Sequence, residues 1–283
     1  MNVDRLLGWP FKDVVQTYTV RDTMLYALSV GFGGDPVDAE QLRYVYESDL
    51  MTVPSMAVVL GHPGPYVLDP ALGIDFRKIV VGGQAMELHR PLPVAATIRA
   101  RERVTAILDK GSDKGVVLCT ERRIVDDATE EPLATLSVTL MCRGDGGCEA
   151  SYGSVGAIHS LPDGDPHRST EIATLPQAAL LYRLNGDTNP IHADPEVAKR
   201  VGFERPILHG LCSYGLAVNA LLKLWCDYDS TRIVSVSTRF SAPVFPGETI
   251  VFETWRDGST LSFRAWSKER QVKVLDNGCA LLR

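Results

Sequence analysis

Apolar and polar residues alternate with a period of two along eight stretches of the chain, four in each half. In the first half they are "GQAMELHRPLP", "ATIRARERVTAIL", "VVLCTERRIVDD" and "PLATLSVTLMCR". In the second they are "TRIVSVSTRFSAP", "ETIVFETWRDG", "TLSFRAWSKE" and "QVKVLDNGCALL". Successive strand side chains point to opposite faces of a sheet, so this alternation predicts strands with one face buried. An apolar stretch of helical spacing precedes each set, "TMLYALSVGF" in the first half and "PQAALLYRLN" in the second, and each runs into a turn ending in Gly-Asp. A helix against a long antiparallel sheet, made twice, is an α+β architecture.

The two sets are copies. A shift of 152 positions lays "GGD" (Gly33 to Asp35) on "NGD" (Asn185 to Asp187) and Pro54 on Pro206. The same shift lays "RPLPVAATI" (Arg90 to Ile98) on "APVFPGETI" (Ala242 to Ile250). One offset shared by separated features marks an internal repeat. The Gly-, Ser- and Asp-rich segment from Arg143 to Ser169 has linker composition. We therefore divide the chain into a first copy at 1–146, a linker at 147–169 and a second copy at 170–283.

The copies differ after the equivalent prolines. The second continues as "ILHGLCSYGLAVNALLKLW", a long apolar helix opened by Gly210. The first has "SMAVVLGHPGPYVLDPALG", where Gly61, Pro63, Gly64 and Pro65 forbid such a helix, because proline removes an amide donor and clashes with the preceding turn. The first copy is expected to lack its central helix and to leave a concave sheet open to a bulky apolar ligand.

Composition narrows the setting. The 283 residues are 45% hydrophobic and 23% charged with a net charge of −6, which fits a globular protein with a full core and argues against a nucleic-acid or acidic-membrane partner. The six cysteines (Cys119, Cys142, Cys148, Cys212, Cys226 and Cys279) make no CxxC pair and read as reduced, mostly packed thiols. No secretory signal, and no apolar run of the roughly 18 to 20 residues a membrane helix needs, is visible, so the expected location is cytoplasmic.

The candidate chemistry lies in "YRLNGDTNPIHAD", Tyr182 to Asp194. Its Gly, Asp, Asn and Pro content suits a plain surface turn. Yet a carboxylate at Asp187 and an imidazole at His192, on a segment folded back by Asn189-Pro190, can both point at one water and exchange protons with it. Farther along, His209-Gly210 opens the long helix, whose unpaired amides can hold a developing oxyanion. The first copy keeps Asp35 but has Val37 and Glu40 where the second has Asn189 and His192, so such a site exists once per chain.

"YRLNGDTNPIHADPEVAKRVGFERPILHGLCSYGLA" and the following "RFSAPVFPGET" closely resemble the signature of the MaoC-like, or type 2, (R)-specific enoyl-CoA hydratases. The resemblance is strong over 177–250, and "VGGQAMELHRPLP" is its best match in the first half. It implies a tandem double hot-dog fold with a degenerate first copy. It also implies that Asp187 and His192 hold the reacting water, that Asn189 orients them, and that the Gly210 amide binds the thioester oxygen of an acyl-coenzyme A substrate. Which residue returns the proton to C2 stays open. No metal or redox cofactor is implied. Medium, long or ring-bearing acyl groups are expected, with a homodimer as the assembly. His209, Lys199, Arg200 and Arg205 are candidates to contact the substrate or its coenzyme A phosphates. Two other readings share the fold: a hot-dog acyl-CoA thioesterase, which directs water at the carbonyl, and a non-catalytic binder of acyl thioesters.

Overall fold

Each alternating run forms a strand in a computed structural model that describes residues 1–283. The first half contributes β1 (Val14–Tyr18), β2 (Ile79–Leu88), β3 (Ala96–Asp109), β4 (Val116–Asp126), β5 (Pro132–Cys142) and the short β6 (Ser151–Tyr152). The second half contributes β7 (Arg168–Ala173), β8 (Ile233–Phe240), β9 (Thr249–Asp257), β10 (Thr260–Ser267) and β11 (Val272–Leu282). All belong to one antiparallel sheet in the order β1-β3-β4-β5-β2-β8-β11-β10-β9-β7, with β6 added beside β3. Read outward from its middle, the order is the same in both halves. At the seam between β2 and β8, Ala85 faces Ser237. These two residues are equivalent under the 152-residue shift, so the pseudo-twofold axis of the repeat passes between them.

The helices are α1 (Val3–Leu7), α2 (Val20–Ser29), α3 (Ala39–Leu42), α4 (Ala178–Tyr182), α5 (Pro195–Arg200) and α6 (Gly210–Trp225). Every residue of α6 from Cys212 to Leu222 is buried, as expected for a helix apolar on all sides. It packs on a core that draws on both halves, including Tyr26, Met56 and Leu136 from the first and Tyr214, Phe252 and Phe263 from the second. No helix is long and apolar enough to cross a membrane. All six cysteines are free, and four of them are buried.

In place of α6 the first half has a single 3-10 turn, Pro54–Val59. The chain then bends at Gly61, with φ +60°, against β3; a Cβ there would lie 2.2 Å from that of Ala100. The sheet beyond is not left open, which corrects the expectation from sequence. α1 and the 3-10 turns at Tyr66–Leu68, Pro70–Leu72 and Phe76–Lys78 cover it, building a second small core of Leu6, Leu72, Ile74, Ile107, Val116, Leu118 and Cys142. The Arg122–Glu102 ion pair is buried beneath the Leu60–Gly61 bend (2.8 Å, side chains 6% and 4% exposed). Arg122 also donates to the carbonyl of Leu60 at 3.1 Å, supplying the partner that a helix would have supplied from its own backbone.

Candidate active site

The Gly-Asp turn closes in three local steps. A 3-10 turn at Arg183–Asn185 ends at Gly186, whose φ of +112° an L side chain rarely adopts. The carboxylate of Asp187 then accepts the Asn189 amide at 3.1 Å, and the Asn189 carboxamide oxygen accepts the Ile191 amide at 3.1 Å. Asn189 thereby caps the 3-10 turn Pro190–His192 that delivers the His192 ring.

His192 is buried, and its Nδ1 lies 2.8 Å from the carbonyl oxygen of Ile207. A carbonyl only accepts, so Nδ1 carries the hydrogen and Nε2 keeps a free lone pair. The His209 ring stacks on it, with centroids 3.7 Å apart and planes 25° from parallel, and gives its Nε2–H to the carbonyl oxygen of Asp187 at 3.3 Å. Polar atoms of Asp187, His192 and His209 all lie within 4.8 Å of one another. Burial pulls His192 below the ordinary histidine range, against the opposing effects of the Ile207 carbonyl and the Asp187 charge. Burial first, and His192 second, push His209 down to about 4. Both rings are therefore neutral near pH 7, as a buried stacked pair requires. The trio is close enough to share a cation, but Nδ1 of one ring and Nε2 of the other are already committed to carbonyls.

Gly210 is exposed at the first position of α6. Backbone bonding at this end begins with Cys212 and Ser213, both of which donate to the carbonyl of His209. The Gly210 and Leu211 amides precede these and are free donors at the positive end of a 16-residue helix. The ring of Phe240 stands 3.3 Å from where a Cβ on Gly210 would be, which marks the glycine as the wall of a narrow approach.

Of the accessory residues, His209 belongs to the trio and the three cations lie outside it. His209 is 1% exposed and engages its ring with His192 and the Asp187 carbonyl, so it backs the Asp187–His192 pair. Lys199 and Arg200 lie on the outer face of α5, Lys199 paired with Glu196 at 3.1 Å. Arg205 pairs with Glu204 at 3.6 Å and lies over the Phe245 ring at 5.0 Å. None of these three joins the trio, and the cation that bears on His209 is Arg183. Two neighbours escaped the sequence reading. Tyr182 lies against His209 with centroids 4.9 Å apart. His62 of the first half stands within electrostatic reach of Asp187, its Nδ1 accepting the Gly64 amide at 3.0 Å. In the sequence the Gly61–Gly64 stretch signalled only a broken helix, and no pattern within one half reveals a contact made across the repeat.

A doubled helix-on-sheet fold with one carboxylate–imidazole pair beside one open helix end defines a double hot-dog protein with a single candidate site. The chain matches the MaoC-like domain over residues 158–278 and the MFE-2 hydratase 2 N-terminal domain over residues 16–144. It is 36% identical to the peroxisomal enoyl-CoA hydratase 2 of Arabidopsis thaliana, covering 97% of this chain and 93% of that one. A crystal structure of a MaoC-like dehydratase from Phytophthora capsici superposes with a TM-score of 0.88 at 35% identity, covering 100% of this chain and 99% of that one. At 15% identity and a TM-score of 0.55, a double hot-dog protein of Mycobacterium tuberculosis shares the fold, covering 97% of this chain and 94% of that one. The chain belongs to the MaoC-like hydratase 2 family.

Proposed function

We propose that the protein catalyses reversible syn addition of water to trans-2-enoyl-CoA, giving (R)-3-hydroxyacyl-CoA. One observation carries this reading: the ring of His192, whose Nε2 is free, has a nitrogen within 4.8 Å of the Asp187 carboxylate, on the same end of the fold as the unpaired Gly210 amide. Asp187 accepts one hydrogen of the attacking water and fixes its position, while His192 Nε2 takes the other as the oxygen bonds to C3. The electron pair of the C2–C3 double bond moves onto the thioester oxygen, where the Gly210 amide meets the developing charge. A proton then returns to C2 on the face where Asp187 and His192 stand, which makes the addition syn. No metal and no redox group takes part in this scheme. The hydratase name of the Arabidopsis relative supports the choice of conjugate addition over attack at the carbonyl.

The test is loss of enoyl-thioester absorbance with purified protein, offering short and long trans-2-enoyl-CoA side by side. Dehydrogenases specific for each enantiomer read the product. Formation of the (R) alcohol is expected with no free thiol; thiol release without hydration would replace this reading with a thioesterase.

A further inference from the structure

The two cores over the first-half sheet do not meet. On its inner face Met86 and Leu136 belong to the large core beneath α6, whereas Leu118 and Cys142, farther along neighbouring strands, belong to the small core beneath α1. Between them runs the cross-strand row Thr238–Gln84–Val138–Thr120, on the same face by alternation. Val138 packs into neither core and is only half-buried, although Leu136, Gln84 and Thr120 around it are buried. A slot between the two covers therefore reaches the sheet at this row. One stretch of chain roofs it. Leu60 lies in the large core and its carbonyl accepts from Arg122 at 3.1 Å, while Tyr66 packs on the small core, so Gly61 to Pro65 must cross the row.

Polar atoms along the slot lack partners. Gln84 is 4% exposed; its Nε2 donates to the Ala85 carbonyl at 2.8 Å, and its Oε1 accepts no bond. Tyr66, where the roof ends, has a buried hydroxyl with no partner. His62 in the roof accepts the Gly64 amide on Nδ1, which leaves Nε2–H free to donate. The slot begins beside the reaction site, since Thr238 stands two residues before Phe240, whose ring walls the approach to Gly210. From β8 to β4 it spans three strand spacings, about 14 Å. Arg122 at its edge is already paired with Glu102 at 2.8 Å, so the ion pair brings no net charge, and a carboxylate in the slot would face Glu102 unpaired.

We propose that this slot holds the distal part of the acyl group and selects acyl groups that carry a hydroxyl or oxo group there. Gln84 Oε1 accepts from a hydroxyl, and the Tyr66 hydroxyl and His62 Nε2–H donate to either oxygen. A plain hydrocarbon tail would displace water from these atoms and leave them unbonded, which a site built for hydrogen bonding penalises. This inference deepens the proposed hydration by naming its substrate class, and it rests on that reading.

Binding of dodecanoyl-CoA, whose extended chain spans the slot, and of its ω-hydroxy and ω-carboxy derivatives tests the slot apart from the reaction when followed by titration calorimetry. The ω-hydroxy compound should bind about tenfold more tightly than the plain one, the worth of one buried hydrogen bond, and the ω-carboxy compound more weakly than the ω-hydroxy one. The same order should appear in kcat/KM for the corresponding trans-2-enoyl thioesters. Gln84→Leu and Tyr66→Phe, each checked for an intact fold by thermal melt, should shrink the preference. Equal Kd for the hydroxy and plain compounds, tighter binding of the carboxylate, or a preference undiminished in both variants would overturn the proposal. If the wild-type protein hydrates no enoyl-CoA, trans-2-butenoyl-CoA included, while the order of Kd holds, the functional reading fails alone and the slot stands.

Discussion

The turn at Asp35 and the turn at Asp187 are built alike and do different things. In each, the aspartate accepts the amide two residues on, at 3.1 Å. In each, a second Asp or Asn side chain caps the short helical turn that follows, Asp38 in the first half and Asn189 in the second. What differs is the ground facing the turn. The second half sets the His209 ring and the open end of α6 against it; the equivalent positions in the first half, Ala57 and Val58, are buried in the Pro54–Val59 turn. In place of His192 stands Glu40, exposed and paired with Arg43. A Gly-Asp turn is thus a mounting. It becomes a site where a buried imidazole and a free helix amide share its space.

The largest effect should come from Asp187→Asn, which keeps the turn's hydrogen bond to Asn189 and removes the charge. Turnover should fall by about 10²–10⁴-fold, as for loss of a general acid–base group, with little change in thermal stability. Steady-state hydration rates and a thermal melt of one preparation test this, and an active Asp187→Asn protein would return the turn to a structural role. The opposite signature belongs to the first half. There the cross-strand pair Glu102–Arg122 occupies the place that Thr254–Phe263 takes under α6. Glu102→Gln should cost about 3–5 kcal/mol, because it strands a buried guanidinium, and chemical denaturation will read that loss directly.

These contrasts explain what the sequence could show. Strands β2 to β5 and β8 to β11 were legible because each buries one face and so alternates. β1 and β7 were not, since they close the sheet's edges and are half exposed, giving "VVQTY" and "RSTEIA" no clear period. The cover over the first-half sheet was illegible because it is assembled from α1 and isolated 3-10 turns without a repeat. Asp187, Asn189, His192 and Gly210 were legible as a local pattern. His209 was misplaced for a specific reason: its neighbour Gly210 is exposed, but the backbone leaves Ile207 and Leu208 in a direction that sends the His209 ring inward onto His192.

A smaller effect should appear with acid, from the stacked imidazoles of the second half together with His62 of the first, which burial also pulls below the ordinary histidine range. Burial, with the neighbouring His192, pushes His209 down to about 4 in the folded protein from an ordinary 6.5, and burial shifts His192 the same way. Below about 6.5 the unfolded chain takes up protons that the folded one refuses, so their contribution to stability is full above that pH and is lost as pH falls toward 4. A melting-temperature series from pH 8 to 4 should decline through this window, and His209→Asn should flatten the decline. By the same shift, His192 stays neutral and able to accept a proton below 6.5, which places the acid limb of kcat below that value.

The smallest expected effect is none, and it puts the comparison to its hardest test. Val37→Asn with Glu40→His writes the second half's chemical residues onto the first half's turn. If the turn alone made the site, this graft would restore hydration to an Asp187→Asn chain. It should not. Position 37 is exposed, so the new Asn can cap its turn, but position 40 is exposed as well, and the new imidazole lacks the buried setting in which the Ile207 carbonyl holds His192. No free helix amide faces it either, because Val58 is the buried interior of a 3-10 turn. Turnover above the Asp187→Asn background would mean that an aspartate, an asparagine and a histidine suffice wherever this fold offers the turn. Its absence would locate catalysis in the meeting of the turn with α6, which the second half alone provides.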